Sequence, residues 1–163
     1  MLFRSAAYLA MQDRALGLAA LVLTASIASG GCASTPQASD ERDREAKAFG
    51  SHPATAAVYV YRPHSERDDS VLWVDNRLIG ATLSRSYFVV HLEPGPHYLQ
   101  GLAHDNGRMA LETRPGEVVF VELRVSDGQS RFRRVPSEFG QKMLLDCCDM
   151  MENWAPGQRP LLR

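Results

Sequence analysis

From residue 56 onward the chain is cut into short apolar runs by turn-forming residues at close, regular intervals, and this spacing constrains its fold more than any other feature. Val58-Tyr59-Val60-Tyr61 is β-branched and aromatic, and a polar loop over 63–70 follows. Val71-Leu72-Trp73-Val74 leads to the turn pair Asp75-Asn76 and then to Leu78-Ile79-Gly80-Ala81-Thr82. Tyr87-Phe88-Val89-Val90-His91-Leu92 ends at Glu93-Pro94-Gly95-Pro96, where Pro then Gly favours a type II turn. Runs over 97–103, 108–113 and 117–125 come next, the last two separated by Arg114-Pro115-Gly116, and 131–135 supplies a last strand. None of these runs is long enough for an ordinary helix, and no βαβ alternation occurs before residue 136. The expected fold is therefore all-β, a single small antiparallel β-sandwich of about seven or eight strands over 56–135. In the last long run, Val119, Val121, Leu123 and Val125 alternate with Phe120, Glu122 and Arg124, which predicts one covered and one wetter face.

Past the strands the period changes. Phe139, Met143, Cys147, Met150 and Trp154 recur at helical spacing, with Ser137 as a cap and Pro156-Gly157 as a stop. This predicts a C-terminal amphipathic helix over about 137–153, inside a helix-and-tail region 136–163. Two readings of its apolar face stand side by side: packing on its own sheet or sheet edge, and a Met-rich stripe that docks a protein partner. The adjacent Cys147 and Cys148 do not form a CxxC motif. They can close a vicinal ring, which would break the helix, pair with another chain, or stay buried as thiols.

The N-terminus reads as a targeting segment over 1–31. Arg4 and Arg14 precede an apolar run over 15–28, shorter than the roughly 20 residues that span a bilayer and of signal-peptide length. Ser29-Gly30-Gly31-Cys32 then resembles a lipobox, with Ser29 where Leu is usual, and implies a lipid on Cys32 as the one covalent cofactor-like group. Ala33, rather than Asp, resembles an outer-membrane sorting signal. A plain secretory signal cut near Ala28 or Gly31 is the alternative, and translation from Met11 gives a shorter signal of the same kind. Residues 32–55 are small, polar and charged without an apolar face, and read as a flexible tether holding the domain on the order of 27 Å from the lipid. Within it Asp43 and Lys47 have the i,i+4 spacing of a helical ion pair.

Tyr59-Val60-Tyr61-Arg62, Val74-Asp75-Asn76-Arg77-Leu78-Ile79-Gly80, Ser86-Tyr87-Phe88, Leu92-Glu93-Pro94-Gly95-Pro96-His97 and Pro115-Gly116-Glu117-Val118-Val119-Phe120 follow one another in this order. Together they resemble a family of small bacterial lipoproteins whose domain has no known function, similar in layout to PEGA-type and transthyretin-like β-sandwiches. The resemblance covers about residues 56–125 and rests on turns and strands, with Asn76-Arg77 standing where the family tends to have Asp-Gly or Asn-Gly. It implies an extracytoplasmic accessory or interaction domain and carries no catalytic residue across.

Side-chain chemistry adds little to this. His52, His64, His91, His97 and His104 have no metal-ligand spacing, and a two-residue loop at Pro94-Gly95 would send His91 and His97 to opposite faces. No nucleophile elbow, Walker loop or dinucleotide fingerprint occurs, so no enzyme is expected, and no metal. A net charge of −1 gives no ground for nucleic-acid binding. Arg131, Arg133 and Arg134 form a small basic cluster, read first as a solvated strand end and otherwise as a contact for anionic headgroups or glycans. The expectation is an outer-membrane lipoprotein facing the periplasm, held by its lipid and serving as a non-enzymatic interaction or accessory module with an envelope protein partner. A glycan- or small-ligand-binding domain using loops 63–70 and 104–107 is the second reading.

Overall fold

The computed structural model describes residues 35–64, 70–101 and 107–153; the expected signal peptide, Cys32, residues 65–69, His104 and Trp154 lie outside them. The described residues form nine strands and two helices. In chain order these are α1 (Asp40–Ala46), β1 (Ala56–Arg62), β2 (Ser70–Val74), β3 (Arg77–Thr82), β4 (Ser86–Leu92), β5 (Gly95–Gly101), β6 (Arg108–Thr113), β7 (Val118–Ser126), β8 (Gln129–Val135), α2 (Ser137–Cys147) and β9 (Asp149–Met150). One sheet has the order β8-β7-β1-β4-β9 and the other β3-β2-β5-β6. The mostly-β, two-sheet expectation holds.

The turns explain the hairpins. Asp75 and Asn76 both take positive φ, as do Asp127 and Gly128, which is the backbone of tight two-residue hairpins joining β2 to β3 and β7 to β8. Asp and Asn tolerate this region because their short polar side chains bond locally. Pro94-Gly95 behaves differently. It carries the chain from β4 in one sheet to β5 in the other, so the two-residue hairpin loop considered there does not form. The sheet is also not wholly antiparallel: β1 runs parallel to β7, and β4 runs parallel to β9. Strands that leave a sheet and return by way of the opposite one need not alternate in direction.

Between the sheets, Val58, Val60, Phe88, Val90, Val119, Val121 and Leu123 of the larger sheet meet Leu72, Val74, Ile79, Leu99 and Leu111 of the smaller. The other face of the larger sheet is apolar as well. Ala57, Tyr59, Tyr61, Tyr87, Val89 and Phe120 form a second cluster with Leu144, Cys148 and Met150, so all seven residues of β1 are buried. The helices and the segment before β1 cover this second face.

That segment is where the structure departs most from expectation. From Thr35 on, the region read as a tether is a strap laid across the domain, and its described residues belong to the same compact unit as the sheets. Ser39 caps α1, and the Asp43–Lys47 ion pair forms at 2.7 Å. Asp43 Oδ1 accepts hydrogen bonds from the Tyr87 hydroxyl and the Met150 N–H, each 2.9 Å. Tyr59 donates to the Ala46 carbonyl at 2.7 Å, and Phe49 packs edge-on against Tyr59 and Phe120. Composition hid this because a polar residue, Asp43, and a few isolated small or apolar ones hold the strap, without a stripe.

Helix α2 ends at Cys147, several residues before the expected boundary. Cys147 and Cys148 are joined by a disulfide, Cys148 is extended, and the chain continues as β9 beside β4. Gly140 and Leu144 are the buried helix positions, and Gly140 lies so close to β7 that an added methyl would fall within the Phe120 side chain. Gly140→Ala should therefore destabilise the domain by roughly 1–3 kcal/mol in urea denaturation. The helix-propensity gain of about 1 kcal/mol for Gly to Ala alone would give the opposite sign.

Candidate functional site

Alternation along β7 puts Leu123 into the inter-sheet core, and its neighbour Phe132 on β8 packs there too. The flanking pairs Glu122–Arg133 and Arg124–Arg131 consequently point to the opposite face, at the β8 edge of the sheet. Glu122 is the one acidic side chain among the described residues that is buried. Its Oε1 accepts from Arg124 Nε at 2.6 Å, its Oε2 accepts from Arg133 Nη2, and the His64 ring nitrogen lies 3.6 Å from Oε1. Burial alone would raise the Glu122 pKa, but the hydrogen bonds and charges of Arg133 and Arg124 outweigh it and hold the carboxyl below its ordinary value. Beside it, in register on β1, the buried Tyr61 hydroxyl has no hydrogen-bond partner among the described residues, and its pKa is pushed up to about 12 by burial and then by Glu122.

A second polar group sits at the other end of the sandwich. His97 Nδ1 is 2.6 Å from Asp75 Oδ2 and Nε2 is 2.7 Å from the Glu93 carbonyl, while Asp75 Oδ1 also accepts from the Tyr98 N–H. Both ring partners are acceptors, so both nitrogens donate, which only the imidazolium can do. Partial burial opposes that charge, but the Asp75 and Glu93 hydrogen bonds, with the charges of Asp75 and Glu112, prevail and raise the His97 pKa. The clamp ties the β2–β3 turn to the sheet-to-sheet crossing before β5. It is a structural use of histidine that no spacing in the sequence reveals, since Asp75 and His97 meet only across two turns.

The other singled-out residues are dispersed. His91 on β4 meets His52 edge-on and takes no part in the His97 clamp, and no group of three or more metal-ligating side chains occurs among the described residues. Of the helix stripe, Met143 and Cys147 pack, partly buried, on the second apolar cluster and Met150 is buried in it, so these three help to cover their own sheet. Phe139 is turned outward and exposed, and Trp154 lies outside the described residues with Cys32. On the outer face of the smaller sheet, Trp73 stands opposite Gln100 on β5, with the exposed Tyr98 two residues further along the same face. The indole N–H of Trp73 has no partner among the described residues.

No family model, curated protein or solved structure matches the chain.

Two outcomes follow from the polar groups. The stability that His97 contributes is present below its unfolded pKa, near 6.5, and is lost as pH rises through the higher folded value. Urea midpoints should accordingly fall as pH climbs from 6.5, and Asp75→Asn should flatten that fall. Glu122→Gln, which turns an amide N–H₂ toward a guanidinium, should lower stability at pH 7 by roughly 1–3 kcal/mol in the same assay.

Proposed function

We propose that the chain is a lipoprotein of the bacterial envelope, anchored through Cys32 at the periplasmic face of the outer membrane, whose domain is a non-enzymatic interaction module. The observation that carries the reading is where the strap begins. Thr35 Oγ1 accepts a hydrogen bond from the Ala81 N–H on edge strand β3 at 2.7 Å, and its methyl group sits against Gly80 at the open side of the sandwich. Only two residues of chain lie between Cys32 and Thr35, a reach of about 11 Å when the three steps are extended. A lipid on Cys32 would thus hold the domain close against the membrane surface, in place of the long leash that composition suggests. The antiparallel, transthyretin-like layout implied by the family resemblance is part of the same proposal, modified by the two parallel pairings.

A second reading, glycan or small-ligand binding, is favoured by the exposed Tyr98 ring on the same outer sheet face as Trp73, since an aromatic face suits the apolar side of a sugar.

The test compares C-terminally tagged wild type with Cys32→Ala in intact cells, by fatty-acid labelling and by cross-linking with mass spectrometry. Wild type should be labelled and capture an envelope protein that the variant does not. A Cys32→Ala chain still processed and still labelled would refute the anchor, and equal capture by both forms would refute its role in placing the domain.

A further inference from the structure

Arg124 and Arg131 stand directly opposite one another across β7 and β8, an arrangement that places like charges side by side and disfavours the pairing. Arg133 lies next to them on the same face, opposite Glu122. Against these three cations the described residues of β7 and β8 on this face supply one carboxylate, Glu122, in a chain whose net charge is −1. Glu122, with its side chain 3% exposed, is spent holding two of the guanidinium groups: Arg124 gives it Nε, and Arg133 gives it one Nη. The rest of each fork faces outward, with the Arg124 and Arg133 side chains 53% and 61% exposed. Arg131 is exposed too, and gives one N–H to Gln129 Oε1 at 2.7 Å. A guanidinium has five N–H donors, so each of the three keeps several for an outside acceptor.

We propose that Arg124, Arg131 and Arg133 form a binding site for a phosphate-bearing group, with Glu122 as the buried residue that positions two of the three guanidinium forks. Phosphate fits better than a carboxylate. Its several oxygens accept from more than one fork at once, its charge relieves the Arg124–Arg131 repulsion, and guanidinium groups match phosphate with paired hydrogen bonds. Arg134 is outside the site: it pairs in register with core-facing Val121 and bonds Glu117 on the other side of the strand. The site rests on this geometry alone. It deepens the interaction-module reading by naming what is bound, and its test omits the lipid so that either can fail separately.

The full chain carrying Cys32→Ser, in neutral maltoside micelles, is titrated with inorganic phosphate while the Arg Nε–H resonances are followed by NMR. The expected result is saturable shifts at Arg124, Arg131 and Arg133 and none at Arg134. Arg131→Gln, which among the described residues gives up only the bond to Gln129 and leaves Glu122 paired, should weaken binding about tenfold, and Arg134→Gln should leave it unchanged. The same shifts on doping the micelles with phosphatidylglycerol would identify a lipid headgroup as the source; a response to inorganic phosphate alone would identify a phosphate carried by a soluble ligand. Shifts reproduced by chloride at equal ionic strength, affinity untouched by Arg131→Gln, or equal loss in Arg134→Gln would overturn the proposal.

Discussion

A central strand that carries Val58 and Val60 on one side and Tyr59 and Tyr61 on the other leaves its sheet with two apolar faces, and a second sheet can cover only one of them. The rest of the domain answers that constraint. The four-stranded sheet closes over the valines. Helix α2, brought close by Gly140, and the strap with Phe49 and Ala46 close over the aromatic side. Burying both faces of β1 removes more apolar surface from water than covering one face would, and such burial stabilises by about 25 cal/mol per Å². It also explains why acidic and hydroxyl groups appear under the strap: each buried tyrosine hydroxyl there needs an acceptor, and Asp43 and the Ala46 carbonyl provide them for Tyr87 and Tyr59.

The strands were legible in the sequence because turn residues and β-branched runs act locally. Asp75-Asn76 and Asp127-Gly128 take the backbone their side chains allow. What local pattern does not carry is which sheet a strand joins, and Pro94-Gly95 shows this: a good turn dipeptide serves equally in a hairpin or in a crossing between sheets. The unbroken apolar run of β1 was a sign of burial on both faces, whereas the alternation of β7 pointed to only one. Phe120, on the supposedly wetter face, is in fact buried under Gly140.

The candidate sites were less legible for a related reason. The basic cluster at Arg131 and Arg133 is visible in sequence, but its third cation, Arg124, and its positioning carboxylate, Glu122, join it only through the β7–β8 register. Arg134, which sequence proximity includes, belongs to the other face. Of the two readings of the helix stripe, packing on its own sheet is the one Met143, Cys147 and Met150 follow, although the helix stops at Cys147 and Met150 reaches the tyrosines from β9. A strap anchored by hydrogen bonds and by the isolated apolar residues Ala38, Ala46 and Phe49 leaves no periodic hydrophobic signature, so residues 35–49 looked like solvated chain.

The strap meets the far end of the chain. Gln37 bridges Met151, Ala38 donates to the Met150 carbonyl, Asp43 accepts from Met150, and Arg42 pairs with Glu152. These contacts join residues more than a hundred positions apart in sequence, so the first described segment is completed by the last. During synthesis, strands β1 to β8 can find one another while the strap waits for residues 149–152 to emerge. Loop-closure entropy grows only slowly with length, so the long wait adds little to the equilibrium cost of the contact, but it makes closure of this side of the sandwich a late kinetic event.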